Sequence, residues 1–365
     1  MNRCRVKDMK IIFDVQELYY LAQYLPVLRE LEKRNVSCSF VIYENQDFNH
    51  LLTKAVNEEN LDACFVKDKH QALEHYLEKK ADWVIFGNHF FDVKSLHTVS
   101  KTAQFGHAIG IKKSYYTKSK TQMTVRFVEG KRRLEIIKKM YPKANFVLTG
   151  FAKLDPVYNK KIAGLDLDFM GLDPEKKTIL YAPTFYPSSI ELFSDEFPYD
   201  FSEYNIIVKP HYFSLTKKKY MGQRNKFNTW KTRYSNVYIA SLDEHSLLPF
   251  MVTADILISE ASSSLFEFAA LDKPVVWCDF LHLRWSYRGL FHFRLKSRLD
   301  QDILKFSDIG AHSANYTGLK QIVDEQLAAP AMFSSKRKKY CDLFVGVVDG
   351  KASQRIADYL CNAVS

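Results

Sequence analysis

Residues 254–277 read ADILISEASSSLFEFAALDKPVVW, and this stretch decides which fold the rest of the chain can adopt. It begins with a short apolar run, passes through a serine-rich turn, continues with helical periodicity and ends in a second apolar run opened by Pro274. Apolar runs of strand length that alternate with helical segments are typical of βαβ units, whose strands are parallel. The stretch therefore predicts one repeat of a doubly wound α/β sheet.

The same alternation extends away from this repeat on both sides. We predict strands at 9–15, 38–43, 63–66, 82–88, 102–108, 124–129 and 145–150, and again at 178–183, 204–210, 236–240, 254–259 and 274–278. A polar stretch with Gly and Pro, residues 156–176, separates the two series. We therefore predict a first domain over 1–155, a linker over 156–176 and a second domain over 177–345. Residues 346–365 form a C-terminal helix that can pack back on the first domain.

Composition excludes some classes of protein and favours others. No run reaches the ~18 apolar residues of a membrane span, and the N-terminus reads as a first strand and not as a secretion signal. The six cysteines are scattered without a C-x-x-C pair, which disfavours a metal site or a disulfide framework and favours reduced thiols in the cytosol.

The positive charge is concentrated in two stretches. The net charge is +10, with eleven Lys/Arg against two acids between Lys112 and Lys143, and eight Lys/Arg without an acid between Lys209 and Leu242. Such density attracts donor phosphates, a phosphate polymer, nucleic acid or anionic lipid. For either stretch alone, an ordinary solvated surface is an equally open interpretation.

Ligands of doubly wound sheets bind at the carboxyl ends of the strands, so the loops there are the first candidates for a site. His107 follows one predicted strand, with Lys112 five residues later, and Lys209 and His211 flank Pro210 after another. A histidine there can act as a general base, and a lysine can neutralise phosphate. The residues alone leave a purely structural role open for both loops.

The serine-rich turn is the most specific candidate. Ser262, Ser263 and Ser264 lie where a helix must begin, and unpaired N–H groups with the helix dipole favour an anion there. Glu267 either closes a capping box with Ser264 or accepts hydrogen bonds from ribose hydroxyls. Two further strand ends, GFAKLD (150–155) and APTFYPS (182–188), add polar residues to the presumed cleft. Walker, dinucleotide-binding and G-x-S-x-G motifs are absent, which disfavours the enzymes that depend on them.

Five of these motifs, in this order over roughly residues 100–280, resemble the CDP-glycerol glycerophosphotransferases, the family of the teichoic acid primases and polymerases. The family's His-Gly-Thr-Pro-Leu-Lys stretch is similar to His107 through Lys112, with Ala-Ile-Gly in place of Gly-Thr-Pro. Its Gly-Tyr-Pro-Arg-Asn-Asp stretch is similar to Gly150 through Asp155, with Lys153 in the Arg position. The other matches are Ala182-Pro183-Thr184, Lys209-Pro210-His211, and Glu260-Ala261-Ser262-Ser263 with Phe266-Glu267 and Lys273-Pro274, where Glu twice replaces Asp.

This resemblance implies a GT-B fold, in which two Rossmann-like domains face a central cleft, the first for the acceptor and the second for the nucleotide donor. It implies transfer of glycerol phosphate from CDP-glycerol to a hydroxyl, with release of CMP. The departures after His107 and at Glu260 leave CDP-ribitol or another nucleotide-linked donor open. The implied catalytic residues are His107, as the base, and His211. The other implied site residues are Lys112, Lys209, Ser262, Ser263 and Ser264 for the donor phosphates, Thr184 and Glu267 for the nucleotide and ribose, and Lys153, Asp155 and Glu260 elsewhere in the cleft.

The implied partners are a nucleotide-linked donor and a glycan or phosphate-containing polymer acceptor, including a lipid-linked one. We expect no metal, no required cofactor and no nucleic acid. Segment 280–298 interleaves five aromatic residues with five Lys/Arg, which suits an anionic membrane surface as well as a buried core. The expected location is the cytoplasm of a bacterium, including the inner face of its membrane. Two alternatives are a GT-B glycosyltransferase that uses a nucleotide sugar, and a non-enzymatic polyanion-binding protein.

Overall fold

The computed structural model describes residues 8–45, 48–106, 108–109, 116, 122–283 and 301–363. These residues form two compact units. The first unit contains the described residues up to Asn159 and those from Asp342 onward, and the second runs from Lys160 to Cys341.

The first unit is built on seven strands. They are β1 Lys10–Val15, β2 Ser37–Tyr43, β3 Ala63–Val66, β4 Trp83–Phe86, β5 Lys101–Phe105, β6 Val125–Val128 and β7 Phe146–Leu148. Its described helices are α1 Leu21–Glu32, α2 Asn49–Glu58, α3 Lys69–Lys79, α4 Val93–Leu96, α5 Lys131–Met140 and α6 Asp155–Tyr158.

The second unit is built on six strands, β8 Thr178–Tyr181, β9 Asn205–Val208, β10 Val237–Ile239, β11 Ile256–Ser259, β12 Val275–Cys278 and β13 Ala311–Ser313. Its described helices are α7 Phe197–Asp200, α8 Tyr212–Thr216, α9 Met221–Arg233, α10 Leu248–Thr253, α11 Ser263–Ala269 and α12 Leu319–Ala328. Helix α13, Ser334–Phe344, carries the chain back to the first unit, and α14, Ala352–Asn362, belongs to that unit.

The two sheets share one strand order. The first is β3-β2-β1-β4-β5-β6-β7 and the second is β10-β9-β8-β11-β12-β13, and every strand pair is parallel. The direction of winding reverses between β1 and β4 in one sheet and between β8 and β11 in the other. Because helices cover both faces of such sheets, their central strands are mostly apolar and buried. All four residues of β4 and of β11 are buried.

Helix α14 completes the core of the first unit. Ile356, Ala357 and Leu360 are buried in the same apolar cluster as β1 and α1. The indole N–H of Trp83 donates to the Leu360 carbonyl at 3.2 Å, and Arg34 pairs with Asp358 at 2.6 Å. The apolar face of this helix is therefore covered by the sheet and helices of the first unit.

The predicted α/β class with two doubly wound sheets is confirmed. All twelve predicted strands are present, although several end before the predicted run does, because the residues that follow form loops. Strand β13 was not predicted, since its three residues, Ala-His-Ser, form no apolar run. Within the part of the chain that the structure describes, no helix is both long and apolar enough to cross a membrane.

Candidate functional site

Three neighbouring strands of the second sheet bring most of the predicted site residues to one edge. Strands β9, β8 and β11 lie side by side, and their carboxyl ends are Val208, Tyr181 and Ser259. The loops that follow them carry the Lys-Pro-His turn, Thr184 and the serine-rich turn. This edge includes the point where the strand order reverses, which is where doubly wound sheets bind their ligands.

Lys209 follows β9 directly, and its backbone N–H donates to the Tyr181 carbonyl at 2.9 Å. The side chain is half-buried, with Nζ 5.6 Å from the centre of the Phe250 ring. Burial lowers the pKa of Lys209 to about 8, against a smaller opposing effect of the Glu244 carboxylate. Because desolvation disfavours the ammonium form, an anion placed beside Nζ would restore its charge.

His211 precedes the first residue of α8 and acts as its N-cap. Its Nδ1 accepts a hydrogen bond from the Phe213 N–H at 3.1 Å. The ring centre lies 4.6 Å from that of Phe185, in the loop after β8. Since Nδ1 is the acceptor in this arrangement, the proton of the neutral ring is on Nε2. His211 can therefore donate a hydrogen bond from Nε2 to a ligand oxygen.

Glu260 is buried, at 2% exposure, immediately after β11. Its carboxylate accepts from the N–H of Thr184 at 2.7 Å, from the N–H of Ser189 at 2.8 Å and from the Ser189 hydroxyl at 2.5 Å. Burial raises the pKa of Glu260, while these hydrogen bonds oppose the rise. The carboxylate thus ties the loop after β8 to the loop after β11 and fixes the position of Thr184.

The serine turn forms a connected chain of hydroxyl groups. The Oγ atom of Ser262 lies 2.9 Å from that of Ser259 and 2.7 Å from that of Ser264, and the Ser259 hydroxyl donates to the Ala182 carbonyl at 2.7 Å. Ser262 is the N-cap of α11, and its side chain makes no capping hydrogen bond. Ser264 lies inside the helix, so the capping box with Glu267 is not formed. Glu267 itself is buried at 2% exposure.

The remaining predicted residues lie in the first unit or outside the described residues. The N–H of Lys153 donates to Gln23 Oε1 at 3.1 Å. Asp155 is buried and accepts from the N–H groups of Ala352 and Ser353 at 3.2 and 2.6 Å, at the start of α14. Burial raises the pKa of Asp155. His107 and Lys112 lie outside the described residues.

Two residues of the second unit were missed in the sequence, Phe185 at this edge and Lys273 at the opposite, amino-terminal edge of the sheet. The Phe185 ring packs against His211 with ring centres 4.6 Å apart, and its carbonyl accepts from Gln223 Nε2 at 3.2 Å. Lys273 was noted only as part of a motif. Its Nζ donates to the carbonyls of Met251, Val252 and Ala254 at 2.7–3.0 Å and so caps the carboxyl end of α10. The position of Phe185, directly after the Ala182-Pro183-Thr184 motif, was the signal in the sequence that could have identified it.

The site contains hydroxyl groups, an imidazole and a lysine. The carboxylate of the buried Glu260 already accepts hydrogen bonds from backbone N–H groups. Among the described residues, no group of three or more His, Cys, Asp or Glu could hold a metal ion. Such a donor set binds phosphate oxygens through N–H, O–H and ammonium groups.

Comparison with known proteins agrees with this chemistry. The family model of CDP-Glycerol:Poly(glycerophosphate) glycerophosphotransferase matches residues 104–362. The chain is 25% identical over 368 residues to the teichoic acid glycerol-phosphate primase of Bacillus subtilis (strain 168), covering 93% of this chain and 89% of the relative. It is also 25% identical over 218 residues to a teichoic acid ribitol-phosphate primase of Bacillus spizizenii, covering 58% of this chain and 51% of that relative.

Solved structures show the same fold. The wall teichoic acid polymerase TagF superimposes with a TM-score of 0.68 at 16% identity, covering 99% of this chain and 90% of that one. A UDP-N-acetylglucosamine 2-epimerase superimposes with a TM-score of 0.62 at 13% identity, covering 98% and 96%. The GT-B fold implied by the sequence motifs is thereby confirmed. The chain belongs to the CDP-glycerol:poly(glycerophosphate) glycerophosphotransferase family of transferases.

Proposed function

We propose that this protein transfers glycerol phosphate, or a related polyol phosphate, from a CDP-linked donor to a hydroxyl of a cell-surface glycan or polymer, and releases CMP. The observation that carries the proposal is the pairing of Lys209 and His211 after β9, beside the loops of β8 and β11. The primases and the polymerase to which the chain is similar support the polyol-phosphate class of donor.

The donor phosphates would be held by the second unit. Burial lowers the pKa of Lys209 by destabilising its ammonium form, and a phosphate oxygen close to Nζ would stabilise that form. The Nε2–H of His211 would donate to a second phosphate oxygen. Ser263 and Lys112, the last residue of the stretch that begins at His107, would supply further donors. Thr184 and Glu267 would hold the nucleotide and its ribose. Because the 2% exposed Glu267 is enclosed, its contact with ribose requires its neighbours to shift.

In the proposed reaction the acceptor hydroxyl attacks the phosphorus that carries the polyol. A new P–O bond to the acceptor forms, the P–O bond to CMP breaks, and CMP leaves with the electron pair. His107 would take the proton of the attacking hydroxyl, while Lys209 and His211 stabilise the charge that develops on the leaving phosphate. Positioning and charge stabilisation then supply most of the rate enhancement.

The direct test measures CMP release from CDP-glycerol and CDP-ribitol, with UDP-N-acetylglucosamine as the comparison donor. Product mass must rise by one polyol phosphate for each CMP released. A nucleotide-sugar transferase would instead release UDP and add a sugar mass. Binding of polyanions that weakens with salt, without any product, would support the polyanion-binding alternative.

We propose further that the acceptor is lipid-linked and that the enzyme works at the inner face of the cytoplasmic membrane. Support comes from the five Lys/Arg of segment 280–298, each of which contributes ~1 kcal/mol near an anionic surface. Residues 284–298 of this segment lie outside the described residues. Flotation with phosphatidylglycerol vesicles tests the proposal: binding at low salt should disappear as salt rises, and joint replacement of Arg284, Arg288 and Arg294 should weaken it.

A further inference from the structure

One face of the first sheet is incompletely covered at the amino ends of its strands. Lys10 is paired with Ser37, and Ile12 with Ser39, in the register of β1 and β2. Because side chains alternate along a strand, these four residues lie on the same face. Ile12 belongs to the apolar cluster that contains Tyr76 of α3. The face is therefore the one that α3 covers.

Two serines on this face depart from the usual pattern of a buried parallel strand. Such strands carry mostly Val, Ile and Leu on both faces. Ser39 is nevertheless half-buried, and its hydroxyl makes no hydrogen bond to any residue that the structure describes. Residues that break a local rule without a structural gain are expected at functional sites. The short serine side chains also leave space beneath the last turn of α3, which ends at Lys79.

This space is a cavity of about 420 Å³ that is partly open to solvent, and we call it the α3 cavity. Its volume lies within the range of roughly 300–1,000 Å³ that is typical of small-molecule sites. Ile12, Phe40 and Ala81 supply part of an apolar lining. The cavity is thus large enough for a small organic molecule and has an apolar wall for its body.

The charged residues of the lining favour an anion. Lys10 from β1 and Lys79 from α3 line the cavity together with Asp62. The backbone N–H of Lys10 donates to the Asp82 carboxylate at 2.8 Å, but its ammonium group pairs with no acid within the described part of the chain. The carboxyl end of α3 adds a negative dipole of about half a charge. Two ammonium groups exceed the Asp62 carboxylate and this dipole together.

His75 adds a polar group without a fixed charge. The half-buried ring lines the same cavity. Burial lowers the pKa of His75 below its usual 6.5, and the Lys79 ammonium lowers it further. A neutral imidazole has one donor and one acceptor nitrogen. At neutral pH His75 can therefore donate a hydrogen bond to a ligand oxygen.

We infer that the α3 cavity binds a small organic phosphate, whose phosphate group contacts Lys10 and Lys79 and whose body lies against Ile12 and Ser39. Lysines bind phosphate as point charges, and hydroxyl groups add neutral donors. The cavity is larger than a phosphate ion requires, and its apolar wall suits an organic body. Lys10 and Ser37 are the first residues of β1 and β2, so the cavity lies away from the carboxyl edges. This inference is independent of the proposed transfer reaction.

Calorimetry with phenyl phosphate and glycerol 1-phosphate tests the inference, with inorganic phosphate as the comparison ligand. Lys10→Met should weaken the binding of at least one organic phosphate ~10–100-fold, because a hydrogen bond to a charged group is lost. Ser39→Leu fills the cavity with an apolar side chain and should abolish that binding. Thermal unfolding checks that the variants fold. Lys54→Met, at an exposed lysine of α2, is the matched control and should bind as wild type.

Thiol alkylation shows where the ligand binds. Cys64 is half-buried and lines the cavity. Bound phenyl phosphate should slow its reaction with iodoacetamide several-fold, as measured by peptide mass spectrometry. Cys38, also half-buried, lies between Ser37 and Ser39 and so points to the opposite face of the sheet, and its reaction should not change. Lys209→Met should leave both the affinity and the protection unchanged, because Lys209 belongs to the other unit.

The outcomes separate the α3 cavity from other anion sites. Binding of an organic phosphate that Lys10→Met weakens and that protects Cys64 supports the inference. Absence of binding by both organic phosphates, or an affinity that Lys10→Met leaves unchanged, overturns it. Equal affinity for inorganic phosphate without protection of Cys64 overturns it in favour of unspecific attraction to a basic surface. Binding that disappears in Lys209→Met overturns it in favour of the proposed donor site.

Discussion

The two sheets have the same order of their first six strands, and yet their carboxyl edges differ in chemistry. Each edge has a buried acid near the reversal of winding, Asp14 in the first sheet and Glu260 in the second. Asp14 accepts from two tyrosine hydroxyls and an amide, whereas Glu260 accepts mainly from backbone N–H groups and serine. The hydrogen bonds of both acids join neighbouring segments, but the side chains at the two edges differ, with tyrosine hydroxyls around Asp14 and the half-buried Lys209 and His211 beside the loops that Glu260 joins.

The largest effect should come from removing the proposed base. His107→Ala should lower the transfer rate by ~10²–10⁴-fold and leave CDP affinity unchanged, because the histidine acts on the acceptor and not on the donor. Rapid-quench kinetics and calorimetry measure the two quantities. His50→Ala, at an exposed histidine of α2, is the control. Near-normal transfer by His107→Ala would assign that histidine a structural role.

The next effect tests the buried acid of the first sheet. Burial raises the pKa of Asp14 from 3.8 to about 6, so between these pH values the folded state holds a proton that the unfolded state has released. The free energy of unfolding should therefore fall as pH rises through this window, by about 3 kcal/mol in total. Asp14→Asn should remove this dependence in urea titrations at pH 3.5–7, whereas the exposed Asp62→Asn should keep it. An unchanged slope in Asp14→Asn would place its origin elsewhere.

The corresponding test on the second sheet concerns Lys209. Wild-type affinity for CDP should fall as pH rises through about 8, because the ammonium form is lost there. Lys209→Met should weaken CDP binding ~10–100-fold at pH 7, because a hydrogen bond to a charged group contributes about that much affinity. The affinity of this variant should not fall further at higher pH. Lys231→Met, at an exposed lysine of α9, is the control. A wild-type affinity that stays flat from pH 7 to 9.5 would contradict the assignment.

The smallest effect is expected at the serine turn. Ser263→Ala should weaken CDP binding only ~2–10-fold, because a neutral hydrogen bond contributes about 0.5–1.5 kcal/mol. Glu267→Ala should weaken it as well if the carboxylate holds ribose, and comparison of CDP with 2′,3′-dideoxy-CDP would then show a smaller preference for ribose. Unchanged CDP affinity in both variants would move the donor site away from α11. Circular dichroism controls for folding.

The strands and the strand-end loops were readable from the sequence because apolar runs and turn residues are local signals. The partners of the buried acids were not. Glu260 was predicted only as a residue of the cleft, and the donors to its carboxylate come from residues 184–189, more than seventy positions earlier. Asp155 likewise caps a helix that begins 197 positions later. Such long-range pairs leave no trace in the spacing of one sequence, whereas the motif at Lys209 and His211 does.

The contribution of α14 to the first unit has a consequence for biosynthesis. Domains emerging from the ribosome generally fold in the order of translation, at ~5–20 residues per second. In this chain, Ile356 and Leu360 of α14 pack against Trp83, β1 and α1 in the first unit, but they are synthesised only after the whole second unit. The core of the first unit is therefore completed last, although most of that unit is synthesised first. The apolar surface that α14 covers stays exposed for the ~10–40 s in which the intervening chain is translated.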